Sequence, residues 1–339
     1  MKAELGIYPK DRQVLYKILP LDTPLVVDLY VSNICNFKCN YCLQSSPKEI
    51  YDASGLKKEF MGWDTFELAL KQLREFPRKI KQIALLGIGE PTLHNRLPDM
   101  IRAIRNADIA ETVMVITNGS QLNPEYNQEL VNAGLQVLRI SLQGLSAEKY
   151  MEISHAKIDW DLFYANIVNF SEIKGTCKLK VKIADTALTP GDEERFYQLF
   201  GNICDAVAIE HIYDAFSSRG KEYSNVSLVQ TEKTKFGLDV RNIDVCWIPF
   251  IRINLRPDGV TEHCGNACFG FEKNIREASL LEQWNGRALY KMREDFLRHK
   301  LKAYPPCCVC HTPAEIYHPE DVLDGHEDEI IERMNVSRI

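Results

Sequence analysis

Six short runs of β-branched and apolar residues recur along the first two thirds of the chain, each separated from the next by a stretch of helical periodicity. The runs are "LVVDLYVS" (25–32), "QIALLG" (82–87), "TVMVIT" (112–117), "LQVLRIS" (135–141), "LKVKIA" (179–184) and "AVAIE" (206–210). Strands alternating with helices are joined by crossovers long enough to keep them parallel, so this pattern predicts a parallel sheet with helices on its outer face. Apolar residues at helical spacing predict helices near 97–106, 125–133, 160–173 and 192–200. A further helix follows Asp64, where Glu67 three residues later suggests a capping box and Phe66, Ala69, Leu70 and Leu73 share one face.

The chain has 339 residues, 45% of them apolar, which is enough for a large core and predicts about two domains. The sequence divides into an N-terminal extension (1–22), the βα region (23–215), a polar linker (216–243), a cysteine-rich region (244–315) and an acidic tail (316–339), the last expected as a solvated helix or frayed end. The N-terminus lacks the apolar segment of a signal peptide and no run is long enough to cross a bilayer, so a cytoplasmic location is expected. A net charge of −6 without basic runs interleaved with aromatics argues against nucleic acid and for a small-molecule or peptide partner.

Eleven cysteines are too few for a disulfide scaffold, and in a reducing compartment clustered thiols point to metal ligation or catalysis. Cys35, Cys39 and Cys42 form C-x3-C-x2-C directly after the first strand. A structural zinc site closes with a fourth ligand, and the next His or Cys here is His94. Three thiolates can instead hold three irons of a 4Fe-4S cube and leave the fourth open to a ligand.

In this loop the chain resembles the radical S-adenosylmethionine superfamily. The resemblance implies a partial (β/α)6 TIM-like barrel, with S-adenosylmethionine bound to the open iron and reductively cleaved to a 5'-deoxyadenosyl radical. It also implies a flavodoxin- or ferredoxin-type electron donor. Because ligand-binding residues gather where barrel strands end, the cofactor-binding candidates are Tyr41 within the loop, then Gly89 and Glu90 of "GIGEPTLH", Asn118 of "TNG", and Ser141 and Gln143 of "RISLQG". "GIGEP" resembles the family's GGEP motif, with Ile88 replacing one glycine; Gly89 is expected to let the backbone approach the ligand, and Glu90 to accept from the cofactor's ammonium. Gln143 stands where many relatives carry an acid. Asp185, Glu210 and His211, at the ends of the fifth and sixth strands, are catalytic candidates facing substrate.

The second cysteine set is Cys246, Cys264, Cys307 and Cys310, with a Trp-containing segment "SLLEQWNGRALYKMREDFL" between the pairs. It resembles the SPASM/twitch extension of these enzymes in its short form and implies one auxiliary 4Fe-4S cluster, for a total of two. A zinc ribbon fits the same four thiolates, and a one-residue shift would exchange Cys308 for Cys307. Two reactions then compete. One is a two-electron oxidation of a sugar, aminocyclitol or nucleotide-sugar, with the auxiliary cluster taking the second electron. The other is an epimerisation in which the spare thiol of Cys268 returns a hydrogen atom. Modification of a ribosomal peptide is a further substrate class, and a two-cluster electron carrier is the non-enzymatic alternative.

Overall fold

The structure, a computed structural model, describes residues 2–8, 12–213, 232–265 and 272–336. Among the described residues nine strands form one sheet: β1 (Glu4–Leu5), β2 (Val26–Tyr30), β3 (Ile80–Leu86), β4 (Ala110–Thr117), β5 (Val137–Leu142), β6 (Lys178–Ala184), β7 (Ala206–Glu210), β8 (Arg252–Leu255) and β9 (Thr261–Glu262). Their spatial order is β1-β7-β6-β5-β4-β3-β2-β8-β9. β2 to β7 pair in sequence order and in parallel, as the alternating pattern predicts. This parallel α/β core agrees with a partial barrel of TIM type.

The sheet extends at both ends beyond those six strands. β1, from the N-terminal segment, pairs in parallel with β7, and β8, from the cysteine-rich region, pairs in parallel with β2. The hairpin partner β9 is antiparallel to β8.

Side chains alternate across each strand. Val27, Leu29, Leu138, Ile140, Leu179, Val181, Val207 and Ile253 are all fully buried in the main hydrophobic core. The opposite, concave face has a different chemistry, with Asp28, Arg139, Lys180, Lys182, Glu210 and Arg252 alternating with those apolar positions.

Helix ends follow the local signals. Leu97–Ala107 buries Leu97, Met100, Ile101 and Ile104, and stops at Asp108 in the left-handed region with φ 52°. Asn123 caps Pro124–Asn132 by accepting from Tyr126 N, and Asp159 caps Trp160–Ile173 by accepting from Leu162 N.

Two expectations need correction, and the tryptophan-containing segment carries a break. The helix Trp63–Leu73 has Gly62 as its N-cap with no side-chain cap, and Asp64 pairs instead with Arg276 at 2.5 Å. The tryptophan-containing segment is two helices, Leu280–Trp284 and Arg287–Leu297, broken at Gly286, where a Cβ would sit 2.8 Å from Glu282 O. Among the described residues the acidic tail is more than a solvated helix: Glu327–Val336 buries Ile330 and Met334, and Arg333 donates to the backbone carbonyls of Tyr16 and Lys17. The charged positions face water while an apolar stripe docks.

Candidate active site

The strand ends converge around the three-thiol loop. Ser32, just past β2, accepts from Ile34 N and donates to Ile34 O, bending the chain into the loop. Further along, Lys38 N and Asn40 N donate to Ser154 O and Ile153 O, the free carbonyls at the end of the helix Ala147–Ser154. Buried Phe37 packs edge-on against Tyr150 of that helix. The loop is therefore fixed by orphan helix carbonyls on one side and an aromatic anchor on the other.

Cys39 is buried, and Cys35 and Cys42 are half-buried. Burial pushes all three thiols up, Cys35 to about 11; the charge of Cys42 raises Cys35 and Cys39 further. Thiolates in such a place need a bound cation, which suits soft metal ligands better than a free nucleophile. Among the described residues, no three His, Cys, Asp or Glu side chains converge on the position of a single metal ion.

"GIGEP" is a brace for this loop. Gly89 N donates to Ser32 O at 3.0 Å and Glu90 N to Ile34 O at 2.8 Å. A Cβ on Gly87 would lie 2.0 Å from Ser32 O, and one on Gly89 2.3 Å from Ile34 O. The close approach expected of Gly89 is thus to the cysteine loop's own backbone. Glu90 is buried, its carboxyl raised by burial against the pull of its hydrogen bonds. Its Oε1 accepts from Thr92 N, Thr92 Oγ1 and Thr117 Oγ1, and its Oε2 from Asn118 N. Oε1 is saturated, and Oε2 has capacity for one more donor.

Asn118 continues the brace. Its Nδ2 donates to Asn36 Oδ1 at 3.0 Å, and Asn36 Nδ2 donates to Ser120 Oγ at 2.8 Å. Gly119 takes φ +79°, turning the chain there without a hairpin. Gln143 is buried; it accepts from the hydroxyl of Tyr41 and donates to Ser141 O at 3.1 Å. Gln143 therefore fixes the loop's tyrosine, and Ser141 itself is half-buried.

At the far strands the expected catalytic trio separates. Asp185 Oδ2 and His211 Nδ1 lie 2.8 Å apart, each about one-third exposed. Glu210 points elsewhere: Lys182 sits 2.7 Å from its Oε2, Lys235 3.4 Å from the same oxygen, and Tyr8 donates to Oε1 at 3.1 Å. Burial alone would raise this carboxyl, but Lys182 and Lys235 outweigh it and pull it down to about 2. A carboxylate held ionised between two ammonium groups is a weak proton acceptor.

Cys246, Cys264, Cys307 and Cys310 line one cavity of about 50 Å³, walled by Ile248, Phe296 and Leu301. Burial lifts Cys246 well above the ordinary thiol range and Cys307 to about 12, with the neighbouring thiols adding to both. Cys308 is exposed, and its Sγ faces Leu301 O and Tyr304 O. Four soft donors around one apolar cavity fit an iron-sulfur cluster. Cys268 lies outside the described residues.

Thr92, Asn36 and Gly87 escaped the sequence reading. The signal available for Gly87 was its spacing of two from Gly89; that for Asn36, its place inside the thiol loop.

Residues 29–183 match the model of the Radical SAM superfamily. The GTP 3',8-cyclase of Staphylococcus carnosus is 29% identical over 142 residues, which are 41% of this chain and 40% of that protein; the chain thus spans about two fifths of the length of that relative. Two solved structures share the fold. Streptococcus suis SuiB bound to precursor peptide SuiA has a TM-score of 0.61 at 15% identity over 82% of this chain and 69% of that one. BtrN in complex with AdoMet and 2-DOIA has a TM-score of 0.50 at 15% identity over 84% and 91%. Among the described residues no helix is long and apolar enough to cross a membrane.

Proposed function

We propose that this chain, which belongs to the Radical SAM superfamily through residues 29–183, catalyses a two-electron oxidation of a polar small molecule. S-adenosylmethionine bound at a reduced 4Fe-4S cluster would supply a 5'-deoxyadenosyl radical for hydrogen-atom abstraction. Cys35, Cys39 and Cys42 would hold that cluster, and the spare acceptor capacity of Glu90 Oε2 suits the cofactor's ammonium group. Tyr41, set by Gln143, would position the cofactor from within the loop.

The observation that carries the oxidative reading is the cavity ringed by four thiols. Cys246, Cys264, Cys307 and Cys310 would hold an auxiliary cluster that accepts one electron, and His211, oriented by Asp185, would take the proton. A hydrogen atom, a proton and an electron leave, so an alcohol or amine carbon ends as a carbonyl or imine. Zinc fits the same four donors, but only a redox-active centre can take that electron. A flavodoxin- or ferredoxin-type protein would supply the electron that starts turnover.

Incubating the reconstituted, dithionite-reduced protein with deuterated sugars, aminocyclitols and nucleotide-sugars tests this. Deuterium in 5'-deoxyadenosine names the substrate and carbon, and Cys39→Ala should abolish cleavage. A wild-type protein with its full iron complement that forms no 5'-deoxyadenosine would leave only the electron-carrier reading.

A further inference from the structure

The concave face of the sheet holds more positive than negative charge. Arg139 on β5, Lys180 and Lys182 on β6 and Arg252 on β8 point inward, and Lys235 packs beside them. Facing them among the described residues are Asp28 on β2, Glu210 on β7 and, by strand register, Glu4 on β1 and Glu262 on β9, the last 3.7 Å from Arg256. Lys182 and Lys235 share Glu210, Arg252 lies 3.4 Å from Asp28, and Lys180 donates to Ile7 O at 2.9 Å.

Arg139 is left over. It is 8% exposed, its guanidinium carbon stands 5.0 Å over the Tyr8 ring, and among the described residues it makes no ion pair or hydrogen bond, with Nε fully buried. An aromatic face offsets only part of the cost of burying such a group. Burial, helped by Lys235 and Arg139 against Glu210, pulls Lys182 down to about 8. A fork of five donors without an acceptor, amid excess positive charge, matches a planar or tetrahedral oxyanion.

We propose that the concave face is an anion site in which Arg139 binds an oxyanion, a phosphate ester or carboxylate, carried by the substrate. This narrows the substrate of the radical reading from polar to anionic, and favours a nucleotide-sugar or sugar phosphate over a neutral sugar. It rests on that reading only for its role in turnover, because binding needs no reductant.

Isothermal titration of the as-isolated holoenzyme at fixed ionic strength, with pyrophosphate in one arm and malonate in the other, tests the site. One or both should bind saturably, and the preferred arm separates phosphate from carboxylate. Arg139→Gln should weaken binding by about 10- to 100-fold, the range for losing a charged hydrogen-bond pair. Arg139→Lys, which keeps the charge and loses the fork, should fall between and serves if the glutamine variant does not fold. Without anion, Arg139→Gln should melt at or above the wild-type temperature, since an uncompensated buried charge has been removed.

Saturating S-adenosylmethionine should not displace the anion; competition would mean that the cations hold the cofactor's own carboxylate, and would overturn the proposal. It also fails if neither anion binds or if both Arg139 variants bind like wild type. Failure of the wild type to form 5'-deoxyadenosine would instead sink the radical reading and leave the anion site standing.

Discussion

Gly89→Ala isolates the brace that holds the first cysteine loop. The new Cβ would lie 2.3 Å from Ile34 O, 2.5 Å from Ile34 N and 2.6 Å from Ile34 C, all backbone atoms that no rotamer change can move. Ordinary contact needs about 3.4 Å or more, so the two loops must part by roughly 1 Å. Parting them stretches Gly89 N to Ser32 O and Glu90 N to Ile34 O. Overpacking of this kind costs roughly 1–3 kcal/mol, and two weakened hydrogen bonds add about 1 kcal/mol each. Cys35 adjoins Ile34, so the displacement falls on the first sulfur of the trio. The expected result is selective loss of one cluster, with iron per chain falling from about eight to about four and the auxiliary signal retained in electron paramagnetic resonance. Gly55→Ala is the control, because Gly55 has a positive φ of +72° that an alanine would strain, yet nothing lies within 4 Å of its added Cβ. If Gly89→Ala keeps wild-type iron content and melting temperature, the brace is not what positions the thiols.

Two further outcomes follow from the geometry. Cys310→Ser should remove the auxiliary cluster's absorbance and block product while sparing S-adenosylmethionine cleavage, whereas Cys308→Ser, altering an exposed thiol outside the cavity, should leave iron content unchanged; equal iron loss in both would move the ligand register by one. Glu210 falls from its ordinary 4.5 to about 2 in the folded protein, so it contributes stability at neutral pH that is lost as pH falls from about 4.5 through 2. That is on the order of 3 kcal/mol. Glu210→Gln, which also strands Lys182 and Lys235, should lower the neutral-pH melting temperature and flatten the acid limb of a denaturation series; an unchanged acid limb would refute the ion cluster.

The central strands were legible because each carries a β-branched run between turn signals, and the observed bounds of β2 to β7 lie within two residues of the sequence reading. β1 and β8 were not, since a two-residue strand and "RINL" after an irregular stretch have no local signature; they become strands only by pairing with β7 and β2. The same holds for Asp64. Its local pattern promised a cap, but Arg276, 212 residues away, offered a charge partner. In the site, residue types were readable and pairings were not. Asp185, Glu210 and His211 looked equivalent at strand ends, until Lys182 and Tyr8 claimed Glu210 and left Asp185 to His211.

The pairing of β8 with β2 bears on how two centres would cooperate. β2 runs directly into the loop of Cys35, Cys39 and Cys42, while β8 lies between Cys246 and Cys264 in sequence. Val26 to Leu29 pair residue for residue with Arg252 to Leu255, so the first thiol set and Cys246 and Cys264 of the second flank adjacent strands of one hydrogen-bonded ladder. The proximity registers electrostatically, since the charge of Cys264 bears on Tyr30 at the end of β2. A cluster docked through a flexible linker would have to find the substrate radical in each turnover. One fixed through β8 has its position set when the sheet forms, and the chain spends that ordering entropy once, in folding. The register of this ladder tolerates no slip, because moving β8 by one residue would turn Arg252 and Asn254 into the core and Ile253 and Leu255 onto the charged face.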